Sequence, residues 1–131
     1  MKELTRQMAR AYRTRGNDWM GYNIDSITQL SYHHIQKKED GGPFSWDNGA
    51  LLRRDTAHEY LHIIEYKDLE IYDYINEILK QINTQGYKPT KEELIAIRDV
   101  LLSFEREHCS DRNSKGKILI KNKYIEGRRK L

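Results

Sequence analysis

Four of the chain's five histidines fall in one thirty-residue window, as an adjacent pair, His33 and His34, and a pair four apart, His58 and His62. Residues four apart on a helix share a face, so His58 and His62 can grip one ion together. Adjacent residues on a strand point to opposite sides. At most one of His33 and His34 therefore shares a ligand direction with that ion, and the other is free to act as a base. Three neutral nitrogens favour a borderline transition metal, and a free imidazole titrates near neutrality. Between the two pairs lie Gly41, Gly42 and Asn48. One metal, one free imidazole and a glycine-bent hairpin together make a hydrolytic site.

The elements that must carry these residues can be read from pattern. Ile27 to Ile35 is β-favouring and predicts a strand. Residues 37–48 are a connecting loop, with Gly41-Gly42-Pro43 demanding a sharp path. Ala50 to Arg53 is a short return strand. Thr56 and Glu59 form a T-x-x-E capping box, with Asp55 adding acid at the positive end of the helix. That helix puts His58 and His62 on one stripe and Leu61 and Ile64 on another. A second helix, Asp68 to Asn83, carries Ile71, Ile75, Ile78 and Ile82 at helical spacing, with Tyr72 and Leu79 beside them. After a turn at residues 85–89, Thr90 and Glu93 cap a third helix that runs to Glu107 on a Leu94, Ile97, Leu101, Phe104 stripe. Upstream, Leu4 to Thr14 predicts a short Arg-rich helix, marginal alone, ended by Gly16-Asn17-Asp18. Trp19, Met20 and Tyr22 are expected to anchor the following stretch. Lys117 to Lys121 predicts a short strand, and the last residues a flexible tail.

From Tyr32 the segment reads YHHIQKKEDGGPFSWDNGALLRRDTAHEYLH. It resembles the HNH endonuclease motif, the ββα-metal fold, through His33, His34, Gly41, Gly42, Asn48, Leu51, Leu52, His58 and His62. The doubled histidine at both ends is most similar to colicin-type nuclease domains. The resemblance runs from Ser31 to Glu65, a little over a quarter of the chain. It implies a ββα-metal motif; with the helix stripes read above and the basic ends of the chain, the expected fold is α+β, mainly α, in which this motif packs on an antiparallel helix hairpin between basic N- and C-terminal arms. The resemblance implies one divalent ion (Zn, Ni, Mn or Mg) on His33, His58 and His62, with His34 as general base. Asn48 would orient the base by fixing the loop, or join the metal shell. The implied activity is hydrolysis of phosphodiester bonds, in DNA, leaving 5′-phosphate and 3′-hydroxyl ends. Arg53 or Arg54 would clamp the scissile phosphate, a guanidinium matching phosphate geometry, and Lys37 would track the backbone. Many family members surround the motif with zinc-binding cysteines; this chain has the single Cys109.

At 131 residues the chain predicts one domain: a basic arm or helix over 1–26, the HNH-like motif over 27–66, the helical hairpin over 67–108 and a basic segment over 109–131. The formal net charge is only +3, but it is unevenly spread. From Asp55 to His108 acids outnumber bases twelve to six; from Arg112 onward there are eight Lys or Arg and one acid, Glu126. Basic arms around a metal site suit a nucleic-acid backbone, with Arg128 and Arg129 among the contacts. The plainer alternative is that the arms only aid solubility. The rival to the nuclease is a non-catalytic nucleic-acid- or protein-binding regulator, of a phage or mobile element, with a structural metal. His108, near a helix C-terminus, reads as structural. A lone cysteine, no signal peptide and no apolar span point to a cytoplasmic protein without a membrane partner. The exposed face of the helix hairpin leaves room for a homodimer.

Deleting the residues after Asn122 removes Lys123, Arg128, Arg129 and Lys130. DNA affinity should fall and depend less steeply on salt. An unaltered log–log salt slope would mean that the tail is only solvated.

Overall fold

The computed structural model describes residues 2–12, 16–86 and 88–108. After helix α1 (Lys2–Ala11), residues 16–26 form an irregular stretch that leads into a short 3-10 turn (Ile27–Gln29). Strands β1 (Leu30–His34) and β2 (Gly49–Arg53) pair antiparallel, with Tyr32 opposite Leu51 and His33 opposite Ala50. A π-helical turn (Arg54–His58) leads into α2 (Glu59–Lys67), and α3 (Leu69–Gln85) and α4 (Lys91–His108) complete the described chain. The described residues are thus mainly helical around one two-stranded sheet. The expected C-terminal strand, and Arg128 and Arg129, lie outside the described residues.

Both faces of the hairpin are covered. In β2, Ala50, Leu51 and Leu52 are all fully buried, so the strand shows no alternation of inside and outside. Helices α2 and α3 lie against one face. On the other, α1 contributes Met8 and Ala9, and the 17–24 stretch contributes Trp19, Met20 and Tyr22, all buried. Tyr12, just past α1, meets Trp46 edge-on at 5.3 Å between ring centres. This packing stabilises a helix that would be marginal alone. In α3 the buried face is Ile75, Ile78, Leu79 and Ile82, with Tyr72, while Ile71 of the expected stripe is half-buried. In α4 it is Ile97, Leu101 and Phe104, with Leu94 half-buried. The two helices run antiparallel: Gln85 reaches Glu93 near the turn, and His108 Nε2 lies 3.2 Å from Asp68 Oδ2 at the far end. Tyr60 of α2 donates to Glu105 of α4 at 3.1 Å.

Three expectations shift. The region expected to be strand from Ile27 begins as a 3-10 turn, because Ser26 and Gln29 form a capping box there. Pairing therefore starts at Leu30. The Thr90–Glu93 box forms reciprocally, at 3.1 and 2.9 Å. The Thr56–Glu59 box does not. The helical path opens at Arg54 in a wider turn, so Thr56 sits inside it and not before it. Its hydroxyl is buried with no hydrogen-bond partner among the described residues. Helix α1 ends at Ala11, short of Thr14.

One buried carboxylate ties the irregular stretch to the hairpin. Asp18 accepts from the backbone N–H of Met20 and Tyr22 through Oδ1, both at 2.9 Å, and from Arg53 N–H through Oδ2 at 2.7 Å. Burial lifts its pKa to about 6, although these donors pull it down. Asp18→Asn replaces an accepting oxygen with an amide nitrogen that faces a donor. Leaving a buried N–H unsatisfied costs about 1–3 kcal/mol. The thermal midpoint of Asp18→Asn at pH 7.5 should therefore fall by several degrees; a midpoint equal to wild type would show that the clamp is dispensable.

Candidate metal centre

The pleat of β1 sends neighbouring side chains to opposite faces. Ser31 and His33 face α2 and α3, whereas Tyr32 and His34 face the loop aromatics. His58 closes the π-helical turn and His62 lies one α-helical turn further, so the two share a face with ring centres 4.9 Å apart. π-Helical turns inside helices recur at functional sites. His33 meets them from the strand, at 5.4 Å from His58 and 6.0 Å from His62. One ring nitrogen from each of His33, His58 and His62 lies within 4.8 Å of the others.

Each imidazole is oriented by a hydrogen-bond partner on one nitrogen. His33 Nε2 lies 2.8 Å from Asn76 Oδ1. An amide oxygen only accepts, so Nε2 carries the proton and the Nδ1 lone pair is left for a ligand bond. Ser31 donates its hydroxyl proton to Leu52 O at 3.3 Å, and its oxygen lies 2.6 Å from His58 Nδ1. This short contact holds the orientation of the His58 ring. His62 Nδ1 donates to Glu65 Oε1 at 3.2 Å, which leaves Nε2. Outer-partner hydrogen bonds of this kind fix tautomer and ring orientation in histidine metal sites. Burial pushes the His33 pKa down to about 3 and that of His58 down to about 4, with the neighbouring imidazoles lowering both further. Both rings are therefore neutral at pH 7, as a ligand must be. Three imidazoles brought this close, two of them held neutral by burial, fit a divalent transition metal.

His34 stands apart from this cluster. It is partly buried, edge-on to Tyr32 at 4.8 Å and stacked against Phe44 at 6.0 Å. Burial, and then the charge of Lys38, lower its pKa. Neither of its nitrogens has a hydrogen-bond partner among the described residues.

Asn48 is buried and fully engaged in the loop. Its Oδ1 accepts from Gln36 N–H at 2.8 Å, and its Nδ2 donates to Gln36 O and Pro43 O at 3.0 and 2.9 Å. The arrangement closes the loop between the strands, and leaves no free Asn48 oxygen pointed at the histidines. Gly41 has φ +86°, and a Cβ on Gly42 would lie 1.9 Å from Gln36 O, so the glycine pair is required by the turn.

The proposed phosphate contacts differ in their surroundings. Lys37 pairs with Glu65 Oε2 at 2.6 Å and sits over the Tyr72 ring, so its charge is already answered. Arg53 is held by Asp55 at 3.1 Å and by Asn23 O at 2.9 Å. Arg54 donates only to carbonyls, Thr28 O at 2.6 Å and Leu30 O at 3.3 Å. A second grouping, Asp68, Glu107 and His108, is accounted for by the His108 contact and by Asp68 capping α3.

The outer partners Ser31, Asn76 and Glu65 were not singled out in sequence. Asn76 lies 43 residues from His33, and only the docking of α3 brings it there. Glu65 follows His62 by three, a spacing at which helical side chains meet, and this was the one available signal. Compared with protein families, curated proteins and solved structures, the chain matches no family model, no curated protein and no solved structure.

Calorimetric titration with Zn²⁺ tests the centre. The His58→Ala, His62→Ala double variant should lose the site. Asn76→Ala should bind about 10–100-fold more weakly, the usual effect of removing an outer partner. Unchanged affinity in both would dismiss the assignment.

Proposed function

We propose that the protein is a metal-dependent phosphodiester hydrolase, an HNH-like endonuclease acting on DNA. The observation that carries this reading is the convergence of His33, His58 and His62, each oriented by an outer partner, with His34 on the opposite face of the same strand. The order β1, loop, β2, helix is that of the motif the sequence resembles. His33, His58 and His62 would hold one divalent ion. When bound, such an ion neutralises charge at the reacting phosphate and stabilises the leaving oxygen.

His34 takes the proton of the attacking water. Burial and the charge of Lys38 favour its neutral form, and its ring nitrogens have no described partner competing for that proton. Tyr32 and Phe44 pack on its ring and fix its plane. Asn48 holds the loop that carries Phe44, so it acts on His34 by position. Arg54, with donors to spare, is better placed than Arg53 to hold a phosphate. The regulator with a structural metal shares the fold and the ligand set, and differs in one respect: it has no use for His34.

Single-turnover cleavage of plasmid DNA at saturating Mn²⁺ separates the two. His34→Ala should bind metal and DNA as wild type does and cleave about 10²–10⁴-fold more slowly. Cleavage at the wild-type rate would take His34 out of the mechanism. A wild type that cleaves no nucleic acid in any divalent metal would favour the regulator.

A further inference from the structure

A groove of about 780 Å³ opens between α1 and the start of β1, with Arg6, Arg10, Thr28, Ser31 and Arg54 among its lining residues. Arg6 and Arg10 are four apart on the exposed side of α1, so they stand one above the other along the helix. Arg54 faces them from the turn after β2.

The charges of this groove are poorly answered. Arg10 has no ion-pair partner among the described residues. Arg6 pairs with Glu3 at 2.7 Å, but both side chains are exposed, and such a pair is weak and easily exchanged. Arg54 is held through Nη2 by two carbonyl oxygens, which position the guanidinium without neutralising it. Its other donors stay open to a ligand. Among the described residues that line the groove, none is acidic.

Another groove has the opposite character. It runs between the hairpin loop and α3, and Asp40, Asp47, Asp73 and Glu77 line it beside Lys37 and Lys80. Four carboxylates against two ammonium groups, one of them tied to Glu65, repel a polyanion. The two flanks of the hairpin therefore differ in what they can accept.

Ser31 connects the basic groove to the histidines, since it lines the groove and its hydroxyl holds His58. We propose that the α1–β1 groove seats nucleic-acid backbone phosphates that flank the reacting one, with Arg6, Arg10 and Arg54 as their contacts. This rests on the nuclease reading, because the groove ends beside Ser31 and Tyr32 of the strand that carries His33 and His34. Contacts of this kind position the nucleic acid and carry no sequence preference.

The test is anisotropy of a fluorescein-labelled DNA duplex over a salt series, with EDTA present so that no cleavage occurs. The Arg6→Gln, Arg10→Gln double variant keeps good helix formers on α1. It should bind more weakly, with a log–log salt slope shallower by about 0.9 for each phosphate that is no longer neutralised. Lys80→Gln, in the acidic groove, should leave affinity and slope unchanged. Thermal midpoints equal to wild type establish that the double variant is folded; if it is not, Arg10→Gln alone should show about half the slope change. Wild-type affinity and slope in a folded variant would overturn the groove, and so would a wild type that does not bind the duplex. Plasmid cleavage in Mn²⁺, run in parallel, keeps the two ideas separate. Cleavage with an intact slope would sink the groove and leave the nuclease. A slope change without cleavage by wild type would do the reverse.

Discussion

A buried imidazole must find hydrogen-bond partners without becoming charged, and His33 imposes that constraint on this fold. It is 1% exposed, and its pKa is pushed down to about 3. An unsatisfied buried polar group costs about 1–3 kcal/mol, comparable with a sizeable part of a small domain's stability. Asn76 meets the requirement on one nitrogen, and it comes from α3. The helix is fixed to the hairpin a second time by Asn83, two turns on, which donates to Trp46 O at 2.8 Å and Gly49 O at 2.7 Å. Sliding α3 along the sheet would strand both amides and the imidazole together. Slipping β1 by one residue would bring His34 into the core and turn His33 out. The docking of α3 and the register of the hairpin are thus specified by the same few polar atoms that orient the histidines.

The elements set by local chemistry were legible in sequence. The isoleucine spacing marks α3, Thr90 and Glu93 mark the start of α4, and the interval from His58 to His62 places both on one face. What was not legible depends on groups far apart in the chain. Nothing near Thr56 reveals that the helical path opens earlier, at Arg54, in a π turn that absorbs the T-x-x-E signature. Trp19, Met20 and Tyr22 were readable as anchors, but not the Asp18 carboxylate that clamps their loop to Arg53. The histidine set was suggested by spacing and by resemblance, whereas Ser31 and Asn76 needed three-dimensional neighbours to become visible.

Charge was the hardest quantity to read. A count of bases treats Lys37, Arg53 and Arg54 alike. Folding distinguishes them. Glu65 sits between Lys37 and His62, so one carboxylate both neutralises a lysine and sets the tautomer of an imidazole. Its own pKa is lowered by those two neighbours against the opposing effect of burial. Lys37 is thereby built into the support of the histidine cluster. Arg54, held by carbonyls alone, keeps its full charge on the surface. The same residue class has been put to structural use on one flank of the hairpin and left open on the other.

The adjacent histidines illustrate how little backbone is needed to divide two tasks. Covalent connection keeps His33 and His34 one residue apart, and the pleat keeps their rings on opposite sides. Burial and Asn76 pin the first. Packing against Tyr32 and Phe44 holds the second without occupying its nitrogens. Tyr32 is itself anchored, since its hydroxyl donates to Ser45 O at 2.7 Å and accepts from Ser45 N–H at 3.0 Å. The loop that supplies Phe44 is closed by Asn48 across Gln36 and Pro43. On the nuclease reading, ligand and base then occupy fixed positions with no flexible segment between them. Proximity and orientation come from the hairpin itself, and these are the terms that lower a hydrolytic barrier before any chemistry begins.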